Sequence, residues 1–184
     1  MRVDGRLYRS FAGGAAHHDA YLADYAFTIA GLLDLYEASG APRWLDEAIA
    51  LDRVLSAHYA DPAGGYFATA DDHESLLARE KPGDDGAEPS GNSVQALSLL
   101  RLAELTGDDA YRQRGERTLR AFALPLAKEP ASLAEMLLAL DFALDAVKEI
   151  VIVAPHSRAE AALLLAELRR RFVPNRVLVV AVEG

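Results

Sequence analysis

The apolar positions of this chain fall into two kinds of helical pattern. Residues 19 to 38 carry Leu22, Phe27, Ile29, Leu32, Leu33 and Leu35; residues 90 to 106 carry Val94, Leu97, Leu99, Leu100 and Leu102. Each stretch is apolar around most of a helical circumference, which predicts a helix buried on most sides. The stretches that follow are one-sided. Trp44, Ala48, Leu51, Leu55 and His58 recur at i, i+4, i+7, i+11 and i+14, and Tyr111, Gly115, Leu119 and Phe122 mark one stripe among charges. These predict outer helices, wet on one face, with His58 as a packed core histidine.

The pattern repeats. "GLLDLYEASGAPRWLDEA" (31 to 48) lies over "SLLRLAELTGDDAYRQRG" (98 to 115) at a shift of 67 positions. Leu32, Leu33, Leu35, Glu37, Gly40 and Trp44 then fall on Leu99, Leu100, Leu102, Glu104, Gly107 and Tyr111. Gly40 and Gly107 sit where a left-handed glycine ends a helix. Repeated helix, turn and helix predict stacked αα-hairpins, with buried inner helices wrapped by outer ones.

A third inner helix is expected from Ser132 to Ala146, opened by a capping box of Ser132 and Glu135. Its outer partner does not follow. Instead "EIVIVAP" (149 to 155), a helix opening with a second box (Ser157, Glu160) and running to about Arg171, and "RVLVVAV" (176 to 182) predict a parallel βαβ unit. Between the hairpins, "GGYFATADDHESLLAREKP" reads as a short β-hairpin or loop. The expected fold is therefore mainly α: an αα-hairpin array over residues 1–147, about half of an (α/α)6 toroid, with a βαβ appendage over residues 148–184. A closed six-hairpin ring at this period needs roughly 400 residues. An open array exposes the apolar flanks of its end helices, and such patches mark interfaces. Self-association, or pairing with a missing N-terminal half, is expected.

Composition narrows the partners. The net charge is −9, which argues against nucleic acid and anionic membrane, since both require a positive face. Arg112, Arg114, Arg117 and Arg120 fall at helical spacing and read as a solvated face. There is no cysteine, so disulfides, thiolate metal sites and a cysteine nucleophile are excluded. No apolar run reaches the ~20 residues of a membrane span, and no secretory leader pattern opens the chain. The expected location is cytoplasmic.

"ADYAFTIAGLLDLYEASG", "WLDEAIAL", "GGYFAT", "DDGAEPSGNSVQALSLLRLAELTGD" and "PNRVLVV" resemble the C-terminal half of the YyaL-like family, whose mammalian branch is the spermatogenesis-associated thioredoxin-domain-containing proteins. The resemblance spans about residues 20 to 180. It implies a six-hairpin, glycosidase-like toroid similar to that of N-acylglucosamine 2-epimerases, which in the family follows a thioredoxin-like domain. That domain and the first hairpins have no counterpart here. Ala23 stands where the family pattern has an acidic residue, so one carboxylate of the implied cavity is lost.

In such toroids the N-terminal ends of the inner helices ring a cavity. Those ends carry Asp24, Tyr25, Glu88, Ser90, Asn92 and Glu135. Asp24 and Glu88 are the candidate acid–base pair for carbohydrate chemistry, as epimerase or hydrolase. Tyr25, Tyr66, Ser90, Asn92 and His18 are the candidate sugar contacts. The structural reading is that Ser90 and Asn92 cap a helix start, Asp24 and Glu88 complement helix dipoles, and Glu135 serves only its capping box. His17 and His18 read as a loop or helix entry. They and the cluster Asp71, Asp72, His73 and Glu74 lack metal-ligand spacing. No metal and no cofactor is expected. Two functions remain open: a carbohydrate-binding or -transforming module, and a non-catalytic structural or interaction domain, part of a larger protein.

Overall fold

The computed structural model describes residues 1–73 and 78–183. The chain opens with an antiparallel three-stranded meander: β1 (Arg2–Val3), β2 (Arg6–Ala12) and β3 (Ala15–Asp19). Two-residue turns link them, Asp4–Gly5 and Gly13–Gly14, all four residues at positive φ. Turns of this hand match the twist of paired strands. The meander corrects the loop or helix entry expected at the histidines: His17 and His18 lie on β3.

The two hairpins form as their pattern requires. α1 (Leu22–Ser39) and α2 (Pro42–His58) make the first, α3 (Gly91–Thr106) and α4 (Asp109–Ala121) the second. Gly40 and Gly107 end α1 and α3 with nearly identical left-handed geometry, φ 68° and 70°. Their N–H groups donate to Tyr36 O at 2.7 Å and Ala103 O at 2.8 Å. The short α5 (Ala123–Lys128) and a 3-10 turn (Pro130–Leu133) lead into α6 (Ala134–Leu144).

α3 packs between α1 and α6, while α2 covers α1 and α4 covers α3. This is an inner row of three helices and an outer row of two. Two apolar clusters fill it. Tyr25, Ile29, Leu33, Leu51, Leu55 and Leu99 form one; Leu100, Leu119, Phe122, Met136 and Phe142 form the other. A Cβ on Gly91 would lie 2.7 Å from Leu22 Cγ, so the α1 and α3 entrances touch closely.

β4 (Lys148–Ala154), a 3-10 turn (Arg158–Ala161), α7 (Ala162–Arg169) and β5 (Arg176–Val182) complete the chain. β4 and β5 pair in parallel from Lys148↔Arg176 to Ala154↔Val182. The unit docks through Arg158, whose Nη2 donates to the last carbonyls of α1, Glu37 O at 3.1 Å and Ala38 O at 2.7 Å. A cation there complements the helix C-terminus.

Neither of the two expected capping boxes forms. Ser157 and Ser132 make no side-chain cap; each precedes or lies within a 3-10 turn, whose tighter winding displaces the hydroxyl from its amide. Of the two alternatives expected between the hairpins, residues 64–73 and 78–82 take the loop, held by an isolated bridge between Ala60 and Tyr66.

Candidate functional site

At the α1 entrance, Asp24 Oδ2 accepts from the Tyr21 N–H at 2.8 Å. Arg9, reaching over from β2, brings its Nε to 3.3 Å from the same oxygen and its guanidinium over the Tyr21 ring. At the α3 entrance, Ser90 Oγ accepts from the Ser93 N–H at 3.1 Å, a true N-cap. The α3 entrance is joined to that of α6 by a residue that no motif singled out. Asp85 accepts from the Ser90 N–H through Oδ1 at 2.7 Å and from the Glu135 N–H through Oδ2 at 2.8 Å. Its own N–H donates to Ser132 O at 2.7 Å. One carboxylate thus supplies acceptors for free amides of both α3 and α6. Burial, and then the nearby Asp85 charge, raise the Glu135 carboxyl above its usual range.

The other nominated residues are mostly engaged in the scaffold. Asn92, fully buried, accepts from the Tyr66 N–H at 2.8 Å and donates to Tyr66 O at 2.9 Å and Pro82 O at 2.7 Å. It braces the loop on α3 instead of capping the helix. Tyr25 lies in the core, its hydroxyl accepting from the Leu7 N–H at 2.9 Å and its ring 5.4 Å from Tyr59. Tyr66 is buried, and its hydroxyl, pushed up to about 12 by burial, accepts from Arg114 Nη2 at 2.7 Å. Glu88 and His18 are exposed, His18 at φ 59°.

Two cavities flank this scaffold. One of about 420 Å³ sits at the α1 entrance, walled by Tyr21, Leu22, Ala23, Ala68, Thr69, Ala78, Glu80 and Pro82. The other, about 270 Å³, lies between α2 and α4 and includes Tyr66, Arg114, Arg117 and Asp61. Asp24 and Glu88 line neither.

Beneath the second cavity is a buried ion pair. Asp52 accepts from Arg114 Nη1 at 2.7 Å and Nη2 at 2.8 Å, and from the Gln95 amide at 2.8 Å. Arg114 therefore leaves the solvated face expected of it, while Arg117 and Arg120 stay on it. His58 also departs from expectation. It ends α2 half-exposed, its Nδ1 2.9 Å from Asp71 and its Nε2 2.9 Å from Arg6, which clamps Asp72. His58, Asp71 and Asp72 bring ligand-type atoms within 4.8 Å of one another, but the Arg6 guanidinium already occupies Asp72. Glu74, grouped with them by sequence, lies outside the described residues.

Rat spermatogenesis-associated protein 20 is 38% identical over 187 residues, a match covering 96% of this chain and 24% of the rat protein. The human protein of the same name is 37% identical over 189 residues, covering 97% of this chain and 24% of its own length. The chain belongs to the spermatogenesis-associated protein 20 family. An uncharacterised protein of Caenorhabditis elegans is 32% identical over 121 residues, 66% of this chain and 16% of that protein. No protein-family model matches. The chain spans about a quarter of the length of the mammalian relatives it matches. Among the described residues, no helix is long and apolar enough to cross a membrane.

Proposed function

We propose that this chain is a structural and interaction module of a larger family architecture, an arc of layered helices completed by further helices on its two open flanks. The observation that carries this reading is the contrast along the inner row. α3, in the middle, is buried nearly all round. α1 leaves Phe27 and Leu35 exposed by 41% and 46%, on the face that also carries Ala23 and Gly31. α6 leaves Leu138 and Leu144 exposed by 54% and 78%. Apolar flanks at both ends of a row suit an arc that continues. The length of the relatives, about four times this chain, supports the same reading. A half toroid within an (α/α)6 ring is the architecture it implies.

The polar residues favour this role over carbohydrate chemistry. Tyr25, Ser90 and Asn92 spend their hydrogen bonds on backbone, and the larger cavity is walled mainly by Leu22, Ala23, Ala68, Ala78 and Pro82. Such walls offer few of the carboxylates and amides that sugar hydroxyls need. The test is complementation in trans. The remaining part of the rat relative, co-expressed with this chain, is expected to co-purify with it, and Phe27→Glu with Leu35→Glu to abolish that. Failure of the wild-type chain to co-purify overturns the proposal. A thermal shift with mono- or disaccharides, lost in Asp24→Asn and Glu88→Gln, would favour the carbohydrate reading instead.

A further inference from the structure

A further cavity, of about 230 Å³, lies where the βαβ unit meets the end of α1. Its charged wall is made by Asp34 and Glu37 of α1, Arg169 at the end of α7 and Arg176 at the start of β5. The two carboxylates share one cation. Arg101 Nη2 lies 2.8 Å from Asp34 Oδ1 and 2.9 Å from Glu37 Oε1. Arg169 and Arg176 make no ion pair among the described residues. This junction is therefore net positive in a chain whose net charge is −9. Arg176 Nη1 is buried and has no hydrogen-bond partner among the described residues. A second orphan sits at the same junction: Arg158 Nη1, whose neighbouring Nη2 already serves the last α1 carbonyls. A guanidinium N–H withdrawn from water without an acceptor is costly, and each such group calls for an acceptor that completes it.

We propose that this junction binds a small apolar carboxylate. The carboxylate head is taken by the Arg176 guanidinium, which turns its unmet Nη1 donor to it, with Arg169 closing over the other side. Arginine suits this head because its planar donors match two oxygens at once. The charge balance sets the class. One guanidinium already holds two carboxylates, so the two remaining cations suit a singly charged head, and Asp34 and Glu37 repel a second negative charge. A neutral molecule leaves the guanidinium donors without a charged acceptor. Leu165, Leu168 and Leu178 form the apolar wall that receives the body of the ligand. The volume falls below the ~300–1,000 Å³ usual for ligand pockets, so the occupant is compact, about the size of benzoate. Bound there, it ties α7 and β5 to α1 beside the Arg158 contact.

The probe is sodium benzoate, titrated calorimetrically into the intact chain at constant ionic strength, and saturable binding is expected. Benzamide keeps the ring without the charge, and acetate keeps the charge without the ring. Each should bind at least about tenfold more weakly. Arg176→Gln should raise the benzoate Kd about tenfold or more. Arg169→Gln, at an exposed position whose change leaves the core intact, should raise it several-fold. Arg53→Gln, exposed on α2, should leave it unchanged. Benzoate should also slow hydrogen exchange in α7 and β5 and leave β1 to β3 as they were. Circular dichroism checks that Arg176→Gln stays folded. Absence of saturable benzoate binding overturns the proposal, as does benzamide binding as tightly as benzoate. Binding that neither Arg176→Gln nor Arg169→Gln weakens overturns it too. So does inorganic phosphate binding as tightly as benzoate, which would mark a general anion effect.

Discussion

Asp85 accepts a hydrogen bond from the backbone N–H of Glu135, 2.8 Å away and fifty residues further along the chain. With its second oxygen on the Ser90 N–H, it fixes the spacing of two inner-helix entrances. Asp85→Ala removes both acceptors and should cost about 2–3 kcal/mol, near the sum of two caps. Asp85→Asn keeps one good acceptor oxygen and should cost roughly half as much. Exposed Glu88→Gln should stay within about 0.5 kcal/mol of wild type. Urea midpoints of the three variants check the order.

Burial, and after it the charge of nearby Asp85, makes Glu135 a destabilising group when ionised. Its carboxyl is raised in the folded state by burial and by Asp85, so the native form holds the proton more tightly than the unfolded chain. Wild-type stability from this group is therefore lost above the raised pKa and recovered as pH falls through it toward the ordinary value of 4.5. Glu135→Gln should be more stable than wild type at neutral pH, and the gain should vanish in acid. Asp61 and Asp72 run the opposite way. Hydrogen bonds from Lys81 and Arg6 hold their carboxyls down, so their contribution persists well into acid and is lost as pH falls through the depressed values. Thermal melts of wild type and Glu135→Gln across pH isolate the Glu135 component by difference.

What was legible in the sequence is what local periodicity encodes. The repeat of Leu32, Gly40 and Trp44 over Leu99, Gly107 and Tyr111 located both hairpins and their left-handed ends, and uniformly apolar runs located the parallel strands. Asp85 was not legible, because its role depends on two amides brought together only by packing. The same holds for Asp52, an acid on the buried side of an outer helix whose partner Arg114 comes from another hairpin. The 3-10 entry to α6 was hidden too: Ser132 and Glu135 have the spacing of a box, but Pro130 winds the turn more tightly. The Asp4–Gly5 and Gly13–Gly14 turns carried a readable hairpin signal. Tyr25 looked like a cavity aromatic because its position along the helix was visible and its burial was not, whereas Tyr66 is buried and still lines the cavity between α2 and α4.

Asp52 and Arg114 form a pair that should be costly to break and cheap to replace. Asp52 is almost fully buried and carries two guanidinium bonds and the Gln95 amide. Removing one partner strands a charge, so Asp52→Ala should cost about 3–5 kcal/mol. Replacing both, as Asp52→Leu with Arg114→Met, should recover most of that. Tyr66→Phe removes one acceptor for Arg114 and should cost about 1 kcal/mol. A double-mutant cycle in urea measures the coupling between the ion-pair residues.

Gly40 and Gly107 offer an internal comparison, since both sit at φ near 70° at the end of an inner helix. Alanine in that conformation costs about 1–2 kcal/mol at either site. The surroundings differ: a Cβ at Gly107 meets nothing within 4 Å, whereas one at Gly40 collides with the Arg158 guanidinium. That guanidinium holds the βαβ unit on the last carbonyls of α1. Gly40→Ala should therefore destabilise more than Gly107→Ala, and hydrogen exchange should quicken in β4 and β5 for Gly40→Ala alone. In an Arg158→Ala background the two glycine substitutions should cost the same. If Gly40→Ala remains the more costly there, Arg158 is not the source of the difference.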